Sequence, residues 1–382
     1  MKIIADENIP FAAEAFGTLG EVELIRGRDA TPATFGDCEI FLTRSVTKID
    51  EAMFADSPVR FIGSATIGID HVDLEFLKRR GIGFANAPGS NANSVAEYVV
   101  VALLVVARRG GYELEGKTVG VVGVGNVGSR VVAKAEALGM RVLQNDPPLA
   151  RETGEARFVP LEELLGADFL TFHTPLTREG EDATLHLADE ALLKRLPLEA
   201  VVLNTARGPV VANEPLKAML AERWLGGAVL DVWESEPVID LELLEQVDIA
   251  TPHIAGYSFD GKVCATDMIY RAACQVLGLE PTWSPEDVMP PADVPELGID
   301  CCGLEDEEAI RAAVLAVYDI EADDRCLREI PDERDAHRAF FDDLRKTYPE
   351  RREFYNTTLV LHGASERLQA KLAGLGFPLE EV

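Results

Sequence analysis

A glycine-rich turn between two apolar stretches constrains this chain more than any other feature. Residues 117–146 read KTVGVVGVGNVGSRVVAKAEALGMRVLQND. Their pattern predicts a strand over 118–122, a G-x-G-x-x-G turn at Gly123, Gly125 and Gly128, a helix over 127–138 and a strand over 141–145 ending at Asp146. In such a βαβ unit the first glycine permits the tight turn, the second lets backbone approach a pyrophosphate, and the third lets helix pack on strand. The N–H groups of Asn126 and Val127 open the helix without internal partners and suit a bound anion. Asp146 stands roughly twenty residues past the turn, where a carboxylate accepts ribose hydroxyls and repels a 2′-phosphate. The expected cofactor is NAD. A glycine turn alone is common; the strand before it, the helix after it and the acid at this distance make the signal specific.

At 382 residues the chain has room for two or three domains. The first strand, over 2–5, begins almost at the initial methionine, which leaves no space for a leader segment. The longest apolar run, 98–107, is about half of the ~20 residues a membrane span needs, and predicts a buried helix in a cytoplasmic protein. Thirty-six basic against sixty-six acidic side chains give a net charge of −30. That field disfavours nucleic-acid and membrane partners, and it requires a local cluster of cations for any anionic substrate. It is best screened in a high-salt cytoplasm. Six scattered cysteines form no C-x-x-C pair and predict no metal.

Along residues 1–93 short β-rich runs alternate with helical ones, which predicts a small, mostly parallel sheet. The loop after its third strand, Thr43-Arg44-Ser45-Val46-Thr47-Lys48, gathers two cations and three hydroxyls; it reads equally as an anion clamp or as a solvated strand end. Residues 64–70, around Thr66, can offer backbone N–H groups to an anion or form an ordinary turn. Ser94 and Glu97 have the spacing of a capping box opening a helix that runs to 109. After the glycine turn, strands over 169–173, 200–204, 227–232 and 247–250 complete a six-stranded doubly wound fold, in which ligands bind beyond the carboxyl ends of strands. A helix over 261–277 returns the chain to the first sheet, and the proline-rich stretch 281–295 reads as a linker.

The expected architecture is therefore α/β. It has a flavodoxin-like, discontinuous substrate (lid) domain over 1–93 plus 258–285 and a doubly wound, parallel-sheet (Rossmann) NAD domain over 94–257. A small C-terminal α+β domain over 286–382 serves dimerisation or regulation.

The strand ends carry a set of residues suited to hydride chemistry. Oxidising a secondary alcohol needs a base for the hydroxyl proton, a group that orients the base, and a cation for the substrate carboxylate. His253 is the candidate base, Glu236 the carboxylate that orients it, and Arg207 the cation. Each alone is more often a structural residue; three on successive strand ends of a nucleotide fold are not.

The runs Gly123-Val124-Gly125-Asn126-Val127-Gly128, His173-Thr174-Pro175-Leu176-Thr177, Asn204-Thr205-Ala206-Arg207-Gly208, Glu236-Pro237 and Pro252-His253 follow one another as in the D-isomer-specific 2-hydroxyacid dehydrogenases, which residues 1–277 resemble. Asp70-His71-Val72-Asp73, Asp231-Val232-Trp233-Glu234 and the run from Thr251 to Ser258 resemble the branch of that family with a phosphorylated four-carbon substrate and a C-terminal dimerisation extension. The resemblance implies catalysis by Arg207, Glu236 and His253, and substrate contacts at Ser45, Thr66 and Tyr257. It implies NAD contacts at Asn126, Val127, Asp146, Thr174, Asp231 and Gly256, with Thr205 and Ala206 beside them at the strand end. Arg44 or Lys48 is the expected phosphate ligand, and the partners are a phosphorylated 2-hydroxy acid and a second copy of the chain. Asn145 and Pro209 depart from the family pattern, and Pro209 adjoins the loop of Arg207. A phosphoglycerate-oxidising relative and a non-catalytic NAD sensor are the alternatives.

Overall fold

Strands of two to five residues, most of them buried on both faces, build the two larger parallel sheets in the computed structural model, which describes residues 1–380. The chain divides into two compact units, Met1–Asn91 with Ser258–Pro291, and Ala92–Tyr257 with the residues from Ala292 onward.

In the first unit β1 (Lys2–Asp6), β2 (Glu21–Ile25), β3 (Ile40–Thr43), β4 (Phe61–Ser64) and β5 (Gly83–Ala85) lie in the order β2-β1-β3-β4-β5, every pair parallel. This is the flavodoxin-like order. The sequences of β3 and β4, IFLT and FIGS, are buried throughout, as apolar runs without alternation require. The late helix Phe259–Leu277 belongs to this unit because Val263, Ile269, Tyr270 and Ala273 share one core with Ile3, Ala5, Leu42 and Phe61. The Tyr270 hydroxyl accepts the N–H groups of Thr282 at 2.9 Å and Trp283 at 3.2 Å, fixing the chain that follows.

In the second unit β6 (Thr118–Val122), β7 (Arg141–Asn145), β8 (Phe169–Phe172), β9 (Val201–Asn204), β10 (Gly227–Leu230) and β11 (Ile249–Ala250) lie in the order β11-β10-β9-β8-β6-β7, all parallel. The strand order reverses between β6 and β8, the point at which doubly wound sheets bind their ligands. The helix Ala92–Gly110 is buried along nearly its whole length.

That helix begins two residues before the expected cap. Ser94 therefore lies inside its first turn, and its hydroxyl donates to Glu353 Oε1 at 2.7 Å. Glu97 Oε1 accepts from Phe354 N at 3.0 Å and from Asn93 Nδ2 at 2.9 Å. Partners some 260 positions away in sequence have displaced the local capping box.

After residue 292 come β12 (Glu296–Asp300), β13 (Thr358–His362) and β14 (Leu379–Glu380), a parallel sheet in the order β12-β13-β14, with helices Asp306–Val317, Ile320–Arg328, Arg334–Lys346 and Glu366–Leu375. The sequence reading misses β12, β14 and the helix Ile320–Arg328. The expected separate body over 286–382 is, in compactness, part of the second unit. The cause is a common core: Ala313, Val314, Leu359, Leu368 and Leu372 cluster with Val99, Leu103, Val131 and Ala135.

Candidate active site

Every ligand-facing candidate of the second unit follows the carboxyl end of a strand. Across the sheet they run from His253 after β11 and Asp231 and Glu236 after β10, through Thr205, Ala206 and Arg207 after β9 and Thr174 after β8, to the glycine turn after β6 and Asp146 after β7. The parallel order thus brings the candidates to one end of the sheet, with His253 and Glu236 toward the β11 edge and the glycine turn and Asp146 toward the β7 edge.

The glycine turn fits a dinucleotide. Gly123 has φ 85°, and a Cβ there would lie 2.9 Å from the His173 carbonyl. At Gly128 a Cβ would come 1.9 Å from Gly123 O, so nothing larger allows helix Asn126–Ala137 to pack on β6. A Cβ at Gly125 would meet nothing within 4 Å, so the space above the turn is open. No side chain caps this helix, leaving the N–H groups at Asn126 and Val127 for an anion. Asp146 accepts from Val124 N at 2.8 Å and Leu149 N at 3.0 Å, tying the turn to β7 while keeping lone pairs for ribose hydroxyls. Thr174 Oγ1 is buried with no partner among the described residues, which leaves its hydroxyl available to a ligand. Behind it burial pushes His173 down to about 3, so its ring is neutral as it meets the hydroxyls of Thr171 and Thr205 at 3.0 and 3.2 Å.

The open space at Gly125 gives a direct test. Its φ of −73° is ordinary, but its ψ of −145° lies outside the regions that residues with side chains favour, so a substitution adds some backbone strain. Gly125→Ala is expected to lower the melting temperature modestly, through that strain, and NADH binding, followed by fluorescence, by a far larger factor.

His253 Nδ1 lies 2.6 Å from Glu236 Oε1, and the other Glu236 oxygen accepts Trp233 N at 3.1 Å. Burial pushes the Glu236 carboxyl up, but the adjacent His253 charge and hydrogen bond outweigh it and hold the group below the ordinary carboxylate range. His253 itself has φ 58°, in the left-handed region. Asp231 stabilises that conformation: its carbonyl accepts His253 N at 2.7 Å, and its buried carboxylate accepts Thr251 Oγ1, Ile254 N and Ala255 N at 2.7, 2.7 and 3.1 Å. Burial pushes the Asp231 carboxyl up, and these bonds partly offset it. Asp231 thus shapes the loop that carries the histidine. His253 Nε2 has no partner among the described residues, and the side chain is 31% exposed, so a substrate can reach it.

Arg207 stands one strand further along in extended backbone, its carbonyl accepting Asn204 Nδ2 at 3.0 Å. Its guanidinium bonds only Ala206 O, at 2.7 Å, and no carboxylate among the described residues. Gly208 is required beside it, since a Cβ would come 2.0 Å from Trp233 O. Pro209 sits in the first turn of the short 3₁₀ helix Gly208–Val210, where its ring is tolerated, so the departure leaves the Arg207 loop extended.

Gly256 lies in the same loop as His253, just before Tyr257, whose ring meets Tyr348 edge-on at 5.9 Å and lies 5.4 Å from the Arg345 guanidinium. These two C-terminal residues carry no sequence signal, Arg345 because helix Arg334–Lys346 reads as any amphipathic helix and Tyr348 because it follows that helix's end with no motif around it.

In the first unit, Arg44 and Ser45 follow β3, and Arg44 makes no ion pair among the described residues. Lys48 instead pairs with Asp50 Oδ2 at 2.7 Å, so its charge is compensated by its own chain and it loses ground as a phosphate ligand. Thr66 uses its hydroxyl internally, with Ser64 Oγ at 2.8 Å and Gly68 O at 3.1 Å.

Residues 104–255 match the family model for the D-isomer specific 2-hydroxyacid dehydrogenase NAD binding domain, and residues 288–376 match a domain of unknown function, DUF3410. The erythronate-4-phosphate dehydrogenase of Cronobacter sakazakii is 46% identical over 99% of this chain and 98% of its own, and that of Escherichia coli O1:K1 is 45% identical over the same shares. Among solved structures, NAD⁺-bound 3-phosphoglycerate dehydrogenase from Entamoeba histolytica superposes with a TM-score of 0.62 at 29% identity, covering 73% of this chain and 95% of that one. D-lactate dehydrogenase from Aquifex aeolicus, complexed with NAD and lactic acid, gives 0.60 at 26% identity over 73% and 96%. The chain is an NAD-dependent dehydrogenase and belongs to the erythronate-4-phosphate dehydrogenases of the D-isomer-specific 2-hydroxyacid dehydrogenase family.

Proposed function

We propose that the enzyme oxidises 4-phospho-D-erythronate at C2 to (R)-3-hydroxy-2-oxo-4-phosphooxybutanoate, a step of pyridoxal 5′-phosphate synthesis. The observation that carries this reading is the His253–Glu236 pair at 2.6 Å with Nε2 open, beside a strand end bearing the unpaired cation Arg207. His253 Nε2 takes the C2 hydroxyl proton, and Glu236 holds the Nδ1 proton and stabilises the imidazolium that forms. Arg207 offers its planar fork to the C1 carboxylate and, as C2 becomes a carbonyl, polarises its oxygen. NAD, when bound, accepts the hydride from C2. Its ribose is assigned to Asp146 and its pyrophosphate to the backbone at Gly125, Asn126 and Val127; Thr174, Thr205, Ala206, Asp231 and Gly256 complete the nucleotide contacts. Ser45, Thr66 and Tyr257 are proposed substrate contacts on the motif match, with Arg44 now preferred to Lys48 for the phosphate. A homodimer formed through the C-terminal residues, and a high-salt cytoplasm as its setting, belong to the same proposal.

The test is turnover of 4-phospho-D-erythronate against 3-phosphoglycerate at high salt, with a 2-oxo acid present to reoxidise any NADH that stays bound. Turnover of the four-carbon acid alone is expected. Preference for phosphoglycerate would move the enzyme to another substrate, and silence on both with NAD bound would point to a sensor.

A further inference from the structure

We propose that Arg345, carried by the C-terminal segment, is a phosphate ligand of the catalytic site and sets the preference for a phosphorylated substrate. The inference rests on the reading above, that the substrate is a phosphorylated 2-hydroxy acid.

Position comes first. Helix Arg334–Lys346 is seated on the second unit by Phe341, which is fully buried, and by Phe340 and Leu344 against a cluster that includes Leu327 and Ile330. Packing therefore fixes where its last turn points. The Arg345 guanidinium lies 5.4 Å from the centroid of Tyr257, four residues beyond His253 in the same loop. Its charge is also one of those that hold the Glu236 carboxyl down.

Saturation comes second. Arg345 Nε is buried with no hydrogen-bond partner, and the guanidinium has no carboxylate partner among the described residues. In a chain with sixty-six acidic side chains against thirty-six basic ones, a cation that makes no salt bridge among the described residues stands out, Glu236 being within range of its charge but not paired with it. A buried donor without a partner is destabilising, and a bound anion removes that cost.

Chemistry comes third. The face of Tyr257 orients the guanidinium plane, and a planar fork matches two oxygens of a phosphomonoester. Arg207 on β9 is the cation assigned to the carboxylate, so a substrate with an anion at each end needs a second one. Lys48 is neutralised by Asp50, which leaves Arg345 and Arg44.

The experiment compares the full-length parent, Arg345→Gln, Arg345→Lys and Arg44→Gln. Each is assayed with 4-phospho-D-erythronate and D-erythronate, and inorganic phosphate is titrated into the NADH-loaded enzyme by calorimetry. Arg345→Gln is expected to lower the ratio of the two kcat/KM values, and to weaken phosphate binding, by roughly 10–100-fold, with Arg345→Lys recovering part of both. An unchanged ratio, or equal losses on both substrates with phosphate binding intact, would overturn the proposal and leave Arg345 a packing residue. Arg345-dependent phosphate binding in a parent that does not oxidise the phosphorylated acid would support the anion site while sinking the substrate assignment.

Discussion

Replacing His253 by alanine is expected to lower kcat by about 10²–10⁴-fold, the range that a positioned general base supplies. NADH affinity should hold, because the glycine turn and Asp146 lie at the other edge of the sheet. The control has to respect the backbone. His253 sits at φ 58°, where asparagine is tolerated far better than most residues, so His253→Asn removes the imidazole and keeps the loop. Equal losses in the two variants would assign the effect to the base. Recovery in the asparagine variant would mean that alanine acted by distorting the loop. Glu236→Gln should show a smaller loss of kcat, since the Nδ1 contact survives as a hydrogen bond to a neutral amide but the stabilising charge is gone.

Arg351→Met should give the largest loss of stability. Arg351 is buried with Glu97, Glu353 and Lys134, and its guanidinium donates to Ala255 O at 2.6 Å while lying 4.2 Å from the Tyr318 centroid. Removing one member of a buried charge cluster leaves the others uncompensated and typically costs about 3–5 kcal/mol, readable as a lower urea midpoint. Burial, and then the charge of Glu353, push the Glu97 carboxyl up to about 8, with Lys134 opposing them. Between its ordinary value of 4.5 and that raised one, the folded state holds a proton that the unfolded state has lost, so stability falls as pH rises through this window. Lys134 is pulled down by burial, and its contribution has the opposite sign, gaining as pH rises. The urea midpoint should decline from about pH 5 to about pH 8, and Glu97→Gln should flatten the decline. A flat profile in the parent would show that the cluster does not titrate as a buried acid.

The parallel sheets were legible because their strands are short apolar runs bounded by glycine, proline and helical periodicity, and that pattern is local. The glycine turn was legible because each glycine answers a separate steric demand, now visible as contacts at Gly123 and Gly128 and as open space at Gly125. Long-range partners were not legible. Ser94 and Glu97 have the spacing of a cap, yet Glu353 and Phe354 take their hydrogen bonds. β12 reads ELGID with one buried residue, too weak an alternation to announce a strand that exists by pairing with β13. The Lys48 reading weighed a cation without the acid two residues away. Arg345 and Tyr348 gave no signal because their neighbour Tyr257 lies some ninety positions earlier. The same holds for Asp300, Cys302 and His362, whose ligand atoms meet within 4.8 Å on the exposed ends of β12 and β13.

The way the two units are threaded has a consequence for synthesis on the ribosome. The first unit needs residues 258–291 to close its core, and the second shares its core with β13 and with helix Glu366–Leu375, near the end of the chain. Neither unit can finish as it emerges. The nascent polypeptide must carry the first sheet incomplete until residue 291 has been made and the second until helix Glu366–Leu375 has, which makes it a natural client for chaperones.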